Sequence, residues 1–142
     1  MTIADVVASW PGVETLPHRF GGREFRLGRN EFGHVHGDSL VDIPFPTTIR
    51  DALVSSGRAR PHHVLPDTGW VSFPVDGADG RTDAVELLRL AYLLRLVGRQ
   101  RRPGAEPSAS EVDAAAELAA MDLPPAVRTA VDEYARPSER AA

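Results

Sequence analysis

From residue 23 to residue 45 the sequence is cut into short segments of alternating apolar and polar residues, each ended by a turn signal. Residues 23–27 place Phe25 and Leu27 on one face. Gly28-Arg29-Asn30 then turns the chain, residues 32–36 form the next strand, and Gly37-Asp38-Ser39 turns it again. Residues 40–45 carry Val41, Ile43 and Phe45 on one side and Asp42 on the other. Strands joined by turns this tight pair antiparallel, because parallel neighbours need a crossover of about a dozen residues. A weaker strand is expected at 13–18. Pro44 and Pro46 predict that the strand at 40–45 lies at a sheet edge or ends there. Farther on, Pro66-Asp67-Thr68-Gly69 separates residues 62–65 from 70–75. Proline presets φ and glycine tolerates a positive one, so a hairpin is expected there.

The helices are signalled by a different period. Ile3, Val6, Val7 and Trp10 fall at i, i+3, i+4 and i+7, with Thr2 as a cap and Pro11-Gly12 as a stop. Residues 47–56 form a second helix, with Thr47 or Thr48 capping it and Gly57 at the left-handed position past its end. After a polar loop at 76–81, Thr82 or Asp83 starts a helix to about residue 97. It is apolar almost all round, as expected of a helix packed across a sheet. The region 98–107, rich in Arg, Gly and Pro, reads as a linker. Ser108 and Glu111 then fit a capping box for an Ala-rich helix to about 121. A last helix at 126–135 puts Val127, Val131 and Tyr134 on one side. This order predicts an α+β, two-layer domain at 1–97, its antiparallel sheet covered by helices mainly on one face. A linker at 98–107 and a helical C-terminal extension at 108–142 follow.

Composition removes several chemistries. The chain has no cysteine, which excludes disulfides, thiolate metal sites, iron–sulfur clusters and thiol nucleophiles. All 16 basic residues are arginine, so Schiff-base chemistry and a P-loop lysine are excluded as well. A net charge of −4 makes nucleic acid an unexpected partner, since that affinity comes mainly from neutralising phosphates. No membrane association is expected. The most apolar stretch, 84–97, is interrupted by Glu86, Arg89 and Arg95 and is too short to span. Residues 1–12 lack the basic leader and long apolar core of a secretory signal, so a cytoplasmic location is the expectation. No serine sits in a Gly-x-Ser-x-Gly elbow.

What remains for chemistry is mostly histidine. In Gly33-His34-Val35-His36-Gly37-Asp38 the two histidines are i, i+2 and share a strand face. That spacing suits two ligands of one Zn²⁺, Fe²⁺ or Mn²⁺ ion, with Asp38, Glu31, His62 or His63 supplying the rest. The same imidazoles could instead bond neighbouring strands, or line a pocket for an organic molecule, where a pKa near 6.5 suits acid–base work. His62 and His63 are adjacent, so only one of them can join that site. If Val71, Phe73 and Val75 face the helices, Trp70 and Ser72 turn the other way and add an indole and a hydroxyl. Trp70 could equally be a packing residue, and Asp67 could bond amides within its own turn. Arg89 and Tyr92, at i, i+3 on the long helix, could reach a pocket edge or pair with neighbours.

Three segments taken together, GREFRLG to FGHVHGD (22–38), HHVLPDTGWVSF (62–73) and LLRLAY (87–92), resemble the luciferase-domain family. The resemblance covers roughly residues 10–97 and leaves 99–142 outside. The family takes its name from fungal luciferases, which oxidise a hispidin-type pyrone with O₂ and need no separate redox cofactor. The resemblance implies a stand-alone, bacterial member, much shorter than the fungal enzymes, and it does not imply bioluminescence. It makes His34, His36, His62, His63, Asp67 and Trp70 the residues to test. The expectation is a protein that binds a small organic molecule and oxidises it without a cofactor. His34, His36, His62 and His63 are the candidate catalytic groups, with His34 or His36 as base toward an acidic C–H or O–H. Trp70, Asp67, Ser72, Arg89 and Tyr92 are the candidate ligand-binding groups. The alternatives are a metal-binding protein using His34 and His36, and a non-enzymatic interaction module.

Overall fold

The fold was analysed in a computed structural model that describes residues 1–62, 68–100 and 111–136. Helix α1 (Ile3–Ala8) opens on a capping box in which the Thr2 hydroxyl accepts from the Asp5 amide and the Asp5 carboxylate accepts from the Thr2 amide. Strand β1 (Val13–Pro17) leads through a single 3-10 turn, Arg19–Gly21, into β2 (Arg23–Leu27), β3 (Asn30–His36) and β4 (Leu40–Pro44). Helix α2 (Thr47–Ser55) precedes β5 (Arg60–Pro61) and β6 (Trp70–Pro74). Helices α3 (Gly77–Gln100), α4 (Ala114–Ala120) and α5 (Pro125–Ala135) complete the chain. The strands form one antiparallel sheet in the order β1-β2-β3-β4-β6-β5. The architecture is α+β, as the sequence predicts.

Several local expectations are corrected. β4 is not an edge strand, because β6 returns after α2 and pairs along its free side. The other outcome expected of the prolines holds: the strand ends at Pro44, opposite Trp70, where the missing N–H interrupts little of the ladder. The hairpin's first arm, β5, is shorter and earlier than expected, with Arg60 opposite Ser72 and Pro61 opposite Val71. The expected strand residues 63–65 and turn residues 66–67 lie outside the described residues. α2 is capped by Pro46 rather than by a threonine side chain, while Gly57 takes the positive φ expected past its end. α3 begins at Gly77, so the supposed loop is its polar first turns, with Asp79 placed favourably in the first turn of the helix dipole. It runs to Gln100, three residues into the expected linker, where Arg99 donates to the Leu27 carbonyl and Gln100 to the Val112 carbonyl. α4 is capped by Asp113, which accepts from the Ala116 amide; Ser108 lies outside the described residues.

The core lies between the sheet and α3. Phe25, Val35, Val41, Ile43 and Val71 point from the sheet toward Leu88, Leu90, Tyr92 and Leu93. Helices α4 and α5 pack outside α3 and α2, burying Leu118, Val127 and Val131 in the same core.

Candidate functional site

On the sheet face turned away from α3 the register builds a polar row across five strands. Glu24 pairs with His34, His34 with Asp42, Asp42 with Ser72, and Ser72 with Arg60. Their chain neighbours Phe25, Val35, Val41, Ile43 and Val71 are core residues, so the period-two alternation sends this row to the opposite side. Among the described residues the buried polar or charged side chains are Glu24, His34, Asp42, His62 and Ser72, and all belong to this face. Burying such groups costs free energy unless they are paired; here Asp42 is paired with His34 and Ser72, and Glu24 with His18 and Arg26.

Asp42 is the hub and is only 1% exposed. Its Oδ1 accepts a hydrogen bond from Ser72 Oγ at 2.6 Å. Its Oδ2 lies 3.1 Å from His34 Nε2 and 3.3 Å from His36 Nε2. His62 Nε2 approaches Oδ1 at 3.7 Å. Three imidazoles thus direct the same ring nitrogen at one carboxylate.

The other nitrogen of His34, Nδ1, is 2.8 Å from Glu31 Oε2. Residues 31 and 34 of a regular strand face opposite ways. A β-bulge reverses this: Phe25 pairs with Gly33 and Arg26 with Glu31, which leaves Phe32 as an extra residue. Phe32 enters the core against Phe25 and Tyr92 while Glu31 turns to the histidine side. A Cβ on Gly33 would meet Leu88 Cδ2 at 2.7 Å, so glycine lets α3 approach the bulge closely.

The site is walled by rings. His18, delivered by the 3-10 turn after β1, stacks on His34 at 4.0 Å between centroids. Its Nδ1 is bound to Glu24 at 3.2 Å, and Glu24 is also bound by Arg26. Trp70 stands 5.3 Å from His34 and 6.0 Å from His62. The His36 side chain is 30% exposed and opens the cluster to solvent.

Charge follows from these contacts. Burial by itself would depress His34, but its bonds to Asp42 and Glu31 outweigh burial and raise its pKa to about 9. Burial by itself would raise Asp42, but its bonds to His34 and Ser72 prevail and hold it at about 2. With nothing bound, His34 is therefore an imidazolium at neutral pH, donating from both nitrogens.

Of the residues singled out from sequence, His34, His36, His62, Trp70 and Ser72 come together around Asp42. His63 and Asp67 lie outside the described residues. Arg89 and Tyr92 are not in the site, because α3 covers the other face of the sheet. Arg89 clasps Glu117 of α4 with bonds of 2.5 and 2.6 Å and lies over the rings of Trp10 and Tyr92. The Tyr92 hydroxyl donates to the Pro11 carbonyl at 2.6 Å. Asp38 is also elsewhere: it accepts from the Ile3 amide and from Arg81, tying the start of α1 to α3. The missed residues are Asp42, His18 and Glu24. Asp42 had a signal, a carboxylate set between Val41 and Ile43 in an otherwise apolar strand. His18 and Glu24 had none, since their positions depend on the β1–β2 register.

Residues 29–91 match the family model of the luciferase domain. This segment belongs to the luciferase-domain family. No curated protein and no solved structure matches the chain. The luciferase domain match carries Glu31, His34, His36, Asp42, His62, Trp70 and Ser72; His18 and Glu24 precede it, and α4 and α5 follow it. Among the described residues no helix is long and apolar enough to cross a membrane.

Proposed function

We propose that the luciferase domain of this chain holds a divalent transition-metal ion on His34, His36 and Asp42, and offers its open side to a small organic molecule beside Trp70. The observation that supports this reading is convergence: one donor atom from each of the three residues lies within 4.8 Å of the other two. Donors held 2.0–2.1 Å from a tetrahedral ion lie about 3.3 Å apart. The separations of 3.1 and 3.3 Å from Asp42 Oδ2 fit such an ion with little movement. His62 Nε2 lies against the other oxygen of Asp42, Oδ1, at 3.7 Å and stands outside this set of three. Glu31 completes the argument, because a ligating histidine usually gives its other N–H to a carboxylate that fixes its tautomer. Metal binding displaces the second proton of His34, so loading is expected to weaken as pH falls.

An all-nitrogen-and-oxygen donor set suits Zn²⁺, Fe²⁺ or Mn²⁺. Two histidines and one carboxylate on one face leave coordination positions free, the arrangement on which iron(II) brings O₂ and an organic molecule together. Oxidation of a small organic molecule is the reaction this reading leads to, now with a metal instead of without a cofactor. The test is elemental analysis of the untagged protein after loading with Fe²⁺, Mn²⁺ or Zn²⁺ and desalting. One equivalent is expected for the wild type, with loss in His34→Ala, His36→Ala and Asp42→Ala. Less than a tenth of an equivalent of every metal in the wild type refutes the reading.

A second reading keeps the site metal-free, and the doubly bonded His34 supports it. An imidazolium is a donor rather than a base, so His36 would take the proton from the ligand while His34, held by Asp42 and Glu31, keeps its own. Full turnover of an identified substrate after chelator treatment would favour this reading over the first.

A further inference from the structure

We infer that Glu31 sets the charge of the site and thereby makes its open position prefer neutral ligands over anions. The inference rests on the metal reading and extends it from where an ion binds to what can join it. The charges near the ion can be counted. Asp42 and Glu31 each bring one negative charge, which together balance a divalent ion. Glu24 is offset by Arg26, which is bound to it. The imidazoles of His34 and His36 are neutral when they act as ligands. The ion, Asp42 and Glu31 together are therefore neutral, although only one carboxylate touches the metal; Arg60, at the exposed end of the polar row, is the same in every variant compared below.

Glu31 is well placed for this role. It reaches His34 Nδ1 at 2.8 Å, so its charge acts through the imidazole as well as through space. The bulge at Phe32 puts it there at the expense of regular pairing between β2 and β3. Its side chain is mostly shielded, 22% exposed, so water screens its charge less than that of a surface carboxylate. An anion arriving at the metal meets a site with no net positive charge. Water, dioxygen or a neutral oxygen donor meets no such disadvantage.

The experiment uses the full chain loaded with Co²⁺ and kept under excess Co²⁺, with azide as an anionic probe followed by the visible cobalt bands. In Glu31→Gln, cobalt affinity is expected to fall about 10- to 100-fold, as for loss of a carboxylate behind a ligating histidine. Azide affinity is expected to move the other way, rising about 10-fold as the site gains a net positive charge. Glu31→Asp keeps the charge and alters the reach, so its azide affinity should stay within about threefold of the wild type even where cobalt binds more weakly. A residue that only propped up the strand would weaken both affinities together. Unchanged or weaker azide binding in cobalt-loaded Glu31→Gln overturns the inference and leaves the metal site standing. Equal azide gains in Glu31→Asp and Glu31→Gln overturn it too, since charge would not be the cause. A wild type that takes up no Co²⁺ overturns the metal reading and this inference together.

Discussion

The two faces of the sheet are made from the same strands and obey opposite rules. On one, Phe25, Val35, Val41, Ile43 and Val71 are almost fully buried against α3 and gain stability from apolar area removed from water. On the other, Glu24, His34, Asp42 and Ser72 are also buried but gain little, because taking charges out of water offsets most of their attraction to their partners. A chain under pressure only to fold would fill those positions with apolar residues. The difference teaches that burial alone does not account for the polar face, which is why it is the candidate site.

The comparison can be broken most directly at its hub. Asp42→Ala leaves three imidazoles without their common acceptor. Metal affinity should fall at least about 100-fold, since this removes a ligand rather than its support. Stability should drop by about 3 kcal/mol in urea melts of the metal-free protein. Leu88→Ala, on the opposite face, should cost a similar 2–5 kcal/mol, roughly, through an unfilled cavity against the sheet. It should leave one equivalent of metal bound. If Leu88→Ala abolishes loading, or Asp42→Ala spares it, the two faces do not act separately.

Acidity separates them more gently. In the metal-free protein the folded pKa of His34, about 9, is above its usual value near 6.5. Its contribution is therefore complete below about pH 6.5 and disappears as pH rises through 9. Asp42, at about 2, is below its usual 3.8, so its contribution is complete above that value and is lost as pH falls through 2. Melting temperature should be highest between about pH 4 and 6.5 and decline toward pH 9, by roughly 2–3 kcal/mol in stability. His34→Gln should flatten the alkaline decline. An unchanged slope in that variant would remove His34 as its source.

The smallest effect is expected where helix meets helix. Arg89→Ala loses a partly exposed pair with Glu117 and its contact over Trp10 and Tyr92. About 1 kcal/mol of stability should go, with no change in metal stoichiometry. A change in loading would show that α4 communicates with the polar face through α3.

Much of this fold was legible beforehand because its signals are local. Thr2, Gly57 and the turns after Leu27 and His36 act within four or five residues, and they stand where the sequence placed them, except that Asn30 passes from the expected turn into β3. Errors gathered where a distant partner decides. The strand that Pro44 ends lies inside the sheet instead of at its edge because β6 returns from beyond α2, and α3 outlasts its apolar stretch because Arg99 and Gln100 find carbonyls at Leu27 and Val112. The site divides in the same way. The alternation in Gly33-His34-Val35-His36 was enough to set two imidazoles on one face. It was not enough to say that Asp42 would complete the set in place of Asp38, or that Arg89 and Tyr92 would lie on the other side.

By itself the sequence determined the antiparallel sheet, the apolar helix laid across it and the pairing of His34 with His36. Each depends on spacing along the chain, which the backbone converts directly into direction. Only the tertiary structure decided what those histidines face. Register across β2, β3, β4 and β6 aligned Glu24, His34, Asp42 and Ser72, and a single extra residue at Phe32 turned Glu31 toward His34. Register is set by how whole strands bury their apolar sides against α3, a sum over many distant contacts that no local pattern encodes.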